Sequence, residues 1–156
     1  MISMDISGHR FQVRAAAVFV HDDHVLLHRL ATDAFWTLPG GRVEAGEDAR
    51  AALVREMREE LNEAIECEQL LYVAENFFTH LNQPNHEIGL YFQARFHPDS
   101  GLLDTSRCHA GVEGGTHLEF RWFSKEMLHG MELYPAFLCE SLSLPILSFQ
   151  HIVQHG

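Results

Sequence analysis

Cationic side chains are scarce in this chain: Lys and Arg total 11 against 22 Asp and Glu, a formal net charge of −11 with His neutral. A nucleic-acid backbone binder presents a basic patch, so this balance argues against duplex or RNA scaffolding. A small polyanion stays compatible if a divalent cation bridges it to carboxylates. Cysteine is sparse as well. Cys67, Cys108 and Cys139 are odd in number, widely spaced and free of any C-x-x-C, which speaks against a disulfide frame or a zinc site and fits a reducing cytoplasm. Apolar runs such as residues 15–20 are far too short to span a bilayer. No basic segment followed by an apolar one opens the sequence, so no signal peptide is expected. Internal repeats, low-complexity segments and linkers are missing too. What remains is a cytoplasmic protein of one domain, residues 1–156, with 46% apolar residues to build a core.

Twelve histidines are present but scattered, which reads as surface. His21, Asp22, Asp23 and His24 could bind a metal, yet they lie between two strand-like runs where Asp-Asp is a natural hairpin turn. Residues 11–20 and 25–30 predict those strands, the first apolar on both faces in its second half, as in a strand covered on both sides. A short loop at 31–35 leads to Trp36, and Pro39, Gly40 and Gly41 predict a turn whose bare backbone can approach a ligand. Residues 69–79 and 86–97 predict strands around a loop at 81–85, and 98–117 an irregular, glycine-bearing stretch. A strand at 118–123, a short helix at 124–128 and a helix at 135–142 follow, with Pro135 in the first turn. The apolar segment 144–153 is compatible with either strand or helix.

The run from Glu47 to Leu61 has no Pro or Gly and is rich in Ala, Leu, Met, Glu and Arg, so it predicts a helix, with Gly46 as its cap. Ala49, Leu53, Met57, Leu61 and Ala64 form its apolar stripe. Glu56 and Glu60 fall at the stripe's edge, and Glu59 and Glu63 extend it. A solvated surface helix keeps carboxylates opposite the core, because burying an unpaired charge is costly. Clustered carboxylates at a core edge call for a cation, and a metal ion is the obvious one. A plain Glu/Arg-rich surface helix, with Arg55 and Glu59 as an i,i+4 pair, is the alternative.

With the preceding turn included, Gly41, Glu47, Arg55, Glu56, Met57, Glu59 and Glu60 stand in register with the Nudix box, G-x5-E-x7-R-E-U-x-E-E-x-G-U, where U is a bulky aliphatic residue. Trp36, Thr37, Leu38, Pro39 and Gly40 resemble its usual lead-in. Asn62 stands where that family has Gly, and Glu63 where it has an aliphatic residue. Asn is the usual substitute for Gly at a left-handed helix end, so the departure at Asn62 leaves the acidic positions intact.

The resemblance implies the α/β Nudix fold, a mixed β-sheet sandwiched between α-helices (α/β/α). It implies a hydrolase that cleaves a pyrophosphate bond in a nucleoside diphosphate linked to another group, by attack of water on phosphorus. Candidate substrates are an NTP, an oxidised dNTP, ADP-ribose or similar, and the cofactor is Mg2+ with Mn2+ as substitute. Position by position it carries metal ligation to Glu56, Glu60, Glu59 and the Gly40 carbonyl, and an outer-sphere or helix-start role to Glu47. Arg55 would orient a box carboxylate. The general base stays open between Glu60 and a carboxylate outside the box, Glu87, Glu113 or Glu119. Trp36, Phe77, Phe78 and Tyr91 are candidates for stacking on a base. The resemblance also leaves room for a homodimer, a non-catalytic nucleotide sensor on the same fold, or an isoprenoid diphosphate isomerase. For the last, Cys67 is poorly placed.

Overall fold

The computed structural model describes residues 1–145 and 148–156. Its strands are β1 (Ser3–Ile6), β2 (His9–Val18), β3 (Val20–His21), β4 (His24–Leu30), β5 (Gly40–Arg42), β6 (Ile65–His80), β7 (Gln83–Phe96), β8 (His109–Glu113), β9 (Thr116–Ser124) and β10 (Gln150–His155). The helices are α1 (Ala49–Leu61) and the short α2 (Leu138–Ser141), with 3-10 turns at Gly101–Leu103 and Lys125–Gly130. One sheet runs β1-β2-β7-β6-β10, with β5 also on β2; the second runs β3-β4-β9-β8. The first is mixed: β2 pairs parallel with β7 and β6 parallel with β10, while β1–β2, β2–β5 and β6–β7 are antiparallel.

Strand alternation divides the core in two. Ala15, Ala17 and Phe19 face a cluster holding Ala52, Leu53 and Met57 of α1. Ala16 and Val18 face the other way, toward Leu128, Leu138 and Leu142. The strands therefore form a middle layer with α1 on one side and the short helical segments on the other, as the α/β/α reading requires. None of the described helices is long and apolar enough to cross a membrane.

Several expectations change in detail. The strand expected over residues 11–20 breaks after Val18: β2 ends in the first sheet, and the chain enters the second as β3. Asp22 and Asp23 make the hairpin turn, both with positive φ (49° and 61°), so the turn reading of that His-Asp-Asp-His segment holds. Gly40 and Gly41 lie in β5, paired with Ala16 and Ala15, and do not form a free loop. The expected loop at 81–85 contracts to Leu81 and Asn82, whose φ values of 50° and 64° close a two-residue hairpin. The stretch 98–117 is not wholly irregular: β8 lies within it and pairs with β9 around the positive-φ Gly114 and Gly115. The segment expected as a helix at 124–128 is a 3-10 turn, and only Leu138–Ser141 of 135–142 is α-helical. Within 144–153, residues 150–153 belong to β10, and Ile146 and Leu147 lie outside the described residues.

Candidate active site

Helix α1 starts at Asp48, not Gly46: the Asp48 carboxylate accepts the Ala51 N–H at 2.9 Å, so the box's Glu47 stays in the loop. At the other end Asn62 takes the left-handed cap (φ 55°, ψ 37°), and the Asn62 and Glu63 N–H groups return to the Arg58 and Met57 carbonyls. Asn thus does here what Gly does in the box. The buried face comprises Ala52, Leu53, Met57 and Glu60, while Ala64 is exposed and leaves the stripe.

A single guanidinium organises the carboxylates. Arg55 Nε and Nη2 donate to the two oxygens of Glu47 at 2.8 and 3.0 Å. Nη1 donates to Glu56 Oε1 at 3.0 Å and Glu59 Oε2 at 3.2 Å, and Nη2 also reaches the Arg42 carbonyl at 3.2 Å. These bonds hold the Glu47 carboxyl below its usual range and push the Arg55 guanidinium further up. Glu59 is 57% exposed and, among the described residues, tied in through Arg55 alone. Glu63, at the helix end, accepts from Ser100 Oγ and does not join the cluster.

Glu60 lies deeper. Its side chain is 2% exposed, and neither carboxyl oxygen has a hydrogen-bond partner among the described residues. The His28 Nδ1 stands 3.6 Å from Glu60 Oε1 and is itself unpartnered. Burial drives His28 down to about 3, with the Arg14 charge adding to the effect, so this imidazole is neutral and cannot offset the carboxylate. Burial pushes Glu60 up to about 7; burial, followed by the Glu60 carboxyl, does the same to Glu56. A β-carbon on Gly41 would lie 2.3 Å from Glu56 Cδ, so the glycine admits that carboxyl against the sheet. Gly40 is likewise needed for packing: a β-carbon there would meet the Ala15 carbonyl oxygen at 2.1 Å.

Arg14, His28 and Gly40 help line a cavity of about 620 Å³; Glu56, Glu59 and Glu60 do not line it, and Glu60 is joined to it through His28, 3.6 Å away. Asn76, Phe78, Tyr91, Phe35, Tyr134 and Gln154 contribute to its remaining walls. Glu87 and Glu113 also line it. Glu87 is buried and accepts from Gln12 Nε2 at 2.7 Å, and Glu113 is exposed at the end of β8. Glu119 is not brought to the cavity; Arg29 and Arg121 hold it at 3.2 and 3.1 Å. Of the four aromatic candidates, Phe78 and Tyr91 line the cavity. Trp36 is buried edge-on against Phe123, with the Arg29 guanidinium 4.3 Å from its ring. Phe77 stacks on His155 at 4.8 Å on the opposite face of β6, because successive strand residues point to opposite sides. Sequence reasoning missed Arg14, His28 and Asn76. The usable signal was a polar residue inside an otherwise apolar strand run, which for Arg14 and His28 is plain in the sequence.

Comparisons with known proteins identify the domain. Residues 11–137 match the NUDIX domain. A 39-residue stretch is 46% identical to the "Uncharacterized Nudix hydrolase YvcI" of Bacillus subtilis (strain 168), covering 25% of this chain and 25% of that protein. The MutT protein of Methanosarcina mazei Go1 superposes with a TM-score of 0.64 at 20% identity, over 88% of this chain and 94% of that one. The MutT NUDIX hydrolase of Burkholderia pseudomallei does so with 0.56 at 28% identity, over 74% and 84%. An ADP-ribose pyrophosphatase from Streptococcus suis 89-1591 gives 0.53 at 17% identity, over 92% and 98%. With its box, its cavity and a domain match over most of its length, the chain belongs to the Nudix family of hydrolases.

Proposed function

We propose that this chain, as one domain over residues 1–156 and in the cytoplasm, hydrolyses a pyrophosphate bond in a nucleoside diphosphate derivative with Mg2+, or Mn2+ in its place. The observation that carries the reading is Glu60, a carboxylate 2% exposed whose oxygens have no hydrogen-bond partner, and no Lys or Arg within ion-pair distance, among the described residues. Such a group is expensive unless a cation meets it. The donor set suits Mg2+, which prefers oxygen ligands, is held by one or two carboxylates and keeps several waters. Among the described residues no three His, Cys, Asp or Glu side chains form a ready cage, and a hydrated Mg2+ needs none.

Glu56 and Glu60 would hold the ion, with Glu59 and the Gly40 carbonyl as further ligands. When bound, Mg2+ neutralises diphosphate oxygens and acidifies a water molecule. Arg55 keeps the Glu56 and Glu59 carboxylates oriented and leaves Glu60 free to turn to the ion. Arg14, lining the cavity beside His28 and Gly40, supplies a positive charge for a phosphate. Glu60, Glu87 and Glu113 are the carboxylates able to take the proton from attacking water, and Glu119 is left out because two arginines occupy it. Phe78 and Tyr91, with Phe35 and Tyr134, offer the aromatic walls a base can stack on. The substrates in the neighbours' names, among them ADP-ribose, are candidates for the group beyond the diphosphate.

The test is incubation of the purified chain with a panel of nucleoside triphosphates, oxidised dNTPs, ADP-ribose, nucleotide sugars and an isoprenoid diphosphate, with Mg2+ or EDTA and products identified. Cleavage between phosphorus atoms, dependent on the metal, is the expected result. Saturable nucleotide binding without turnover of any substrate would replace the hydrolase by a sensor.

A further inference from the structure

The cavity has a polar floor. Gln12, Glu87, Asn76 and Gln154 stand in register as one row across β2-β7-β6-β10. Glu87 and Asn76 are buried, and both line the cavity with Gln154. A buried polar group is costly unless it is paired. Gln154 is paired already: its Oε1 accepts the Phe137 N–H at 2.9 Å, and its Nε2 donates to the His155 carbonyl at 3.1 Å. The two central residues are not. Among the described residues Glu87 accepts only from Gln12 Nε2, at 2.7 Å, and has no Lys or Arg within ion-pair distance. The Asn76 amide makes no side-chain hydrogen bond to any of them, although the residue is only 7% exposed. A carboxylate has about four acceptor sites, so Glu87 has room for further N–H donors from whatever fills the cavity.

Position along the strands sets this pair apart from the box. Gly40 pairs with Ala16, and Ala16 with Tyr91. Glu87 comes four residues before Tyr91 on β7, roughly 13 Å along the strand at about 3.3 Å per residue. A general base must reach its proton through a hydrogen bond or one water, which favours Glu60 and Glu113 over Glu87 for the attacking water. Glu87 and Asn76 stand instead where the end of the substrate remote from the ion would rest. The walls beside them are aromatic. Phe78 follows Asn76 by two residues on the same face of β6, and Tyr91 leans back over Gly89, where a β-carbon would meet its ring at 2.7 Å.

We propose that Glu87 and Asn76 read the base of the nucleotide, and that this base carries the guanine edge. Glu87 accepts the adjacent N1–H and N2–H groups, and the Asn76 amide donates to O6. Among the common bases guanine alone offers a carboxylate two neighbouring donors with an acceptor beside them. Adenine and cytosine offer one amine next to an acceptor nitrogen, and uracil one N–H between two carbonyls that a carboxylate repels. Oxidised guanine keeps the same edge. The inference rests on the reading of the cavity as a nucleotide site, but not on turnover.

The experiment is calorimetric titration of the wild type, Glu87→Gln and Asn76→Asp with GMP, oxidised GMP, IMP, AMP and UMP in Mg2+, beside turnover of the matching triphosphates. Monophosphates hold no pyrophosphate bond, so binding is read without cleavage. The wild type should bind GMP or its oxidised form at least about tenfold tighter than AMP and UMP, and the tighter of the two names the base. IMP lacks the N2 amine and should bind about tenfold more weakly than GMP, the worth of one hydrogen bond to a charged group. Glu87→Gln puts an amide where the carboxylate was, and Asn76→Asp turns an acceptor toward O6. Each should cut the preference for GMP over AMP by at least about tenfold. Circular dichroism checks both folds; should one variant fail to fold, the other decides, and the wild-type series stands without either. A wild type with no base preference, or a preference that survives both substitutions, would overturn the inference and leave the hydrolase in place. So would a Glu87→Gln chain that cleaves every triphosphate more slowly by the same factor with its GMP preference intact, the mark of a general base. A chain that neither binds nor cleaves any nucleotide would overturn the nucleotide reading as well.

Discussion

Glu60→Gln should make the metal-free protein more stable while removing its activity. Burial raises the Glu60 carboxyl from 4.5 to about 7, so between those values the folded chain binds a proton that the unfolded chain has released. The sign follows: Glu60's own contribution to stability without metal is most favourable below about pH 4.5 and is lost as pH rises through 7. At 1.36 kcal/mol per unit, the loss is about 3 kcal/mol. Gln does not titrate. The variant should therefore match the wild type near pH 4.5 and exceed it by about 3 kcal/mol at pH 8. For a chain of this size that is a rise of roughly 6–12 °C in Tm. The low-pH comparison matters because buried Gln and protonated Glu share the cost of unmade hydrogen bonds, which then cancels. Thermal melts in EDTA from pH 4.5 to 8.5 measure the difference. In parallel, Mg2+-dependent turnover should fall by at least about 10²–10⁴-fold. A variant no more stable than the wild type at pH 8 in EDTA would mean that Glu60 is solvated or paired, and the cation argument would fail with it.

Adding Mg2+ to the wild type should raise Tm more at pH 8 than at pH 6, because protons compete for the same oxygens; equal shifts at both pH values would place the ion elsewhere. Gly41→Ala forces a β-carbon to 2.3 Å from Glu56 Cδ, so turnover should drop by at least about tenfold, with about 1–3 kcal/mol of stability lost to overpacking; calorimetry and kinetics on one preparation check both. Asn62→Gly should leave stability within about 1 kcal/mol and activity unchanged, whereas Asn62→Ala should cost about 1 kcal/mol because φ is 55° there; a large loss of activity in the glycine variant would assign the Asn side chain a chemical role.

The acidic helix was legible because its spacing is written in one continuous stretch. Arg55 and its three carboxylates lie within thirteen residues of sequence, from Glu47 to Glu59, and a helix converts that spacing directly into proximity. The cap at Asp48 was misplaced by two residues because both Gly46 and Asp48 are plausible helix starts. Only the observed Asp48–Ala51 hydrogen bond separates them. The strand β8 was hidden for a different reason: His109, Ala110, Gly111, Val112 and Glu113 have no strong alternation, and what makes them a strand is the partner β9 across the Gly114–Gly115 turn. Pairing is a non-local fact, and β-propensity is set largely by the neighbour.

The same distinction governs the cavity. Phe77 and Phe78 are adjacent in sequence and chemically alike, and nothing in composition says which meets a ligand. The answer depends on the parity of β6, set by Tyr72 and Ala74 pointing into the core beside the short helices. Counting in twos from Ala74 sends Asn76 and Phe78 to the cavity, and Glu75 and Phe77 to the back. One extra residue between 74 and 77 would exchange the two sets. It would place a histidine-stacking phenylalanine in the cavity and turn the buried Asn76 amide outward. The bulges between Cys67 and Tyr72 lie upstream of this point, so the register is settled before the cavity begins. The floor of the cavity and the Glu75–Phe77 face behind it are thus two sides of one choice of register, and a residue inserted there should disturb both together.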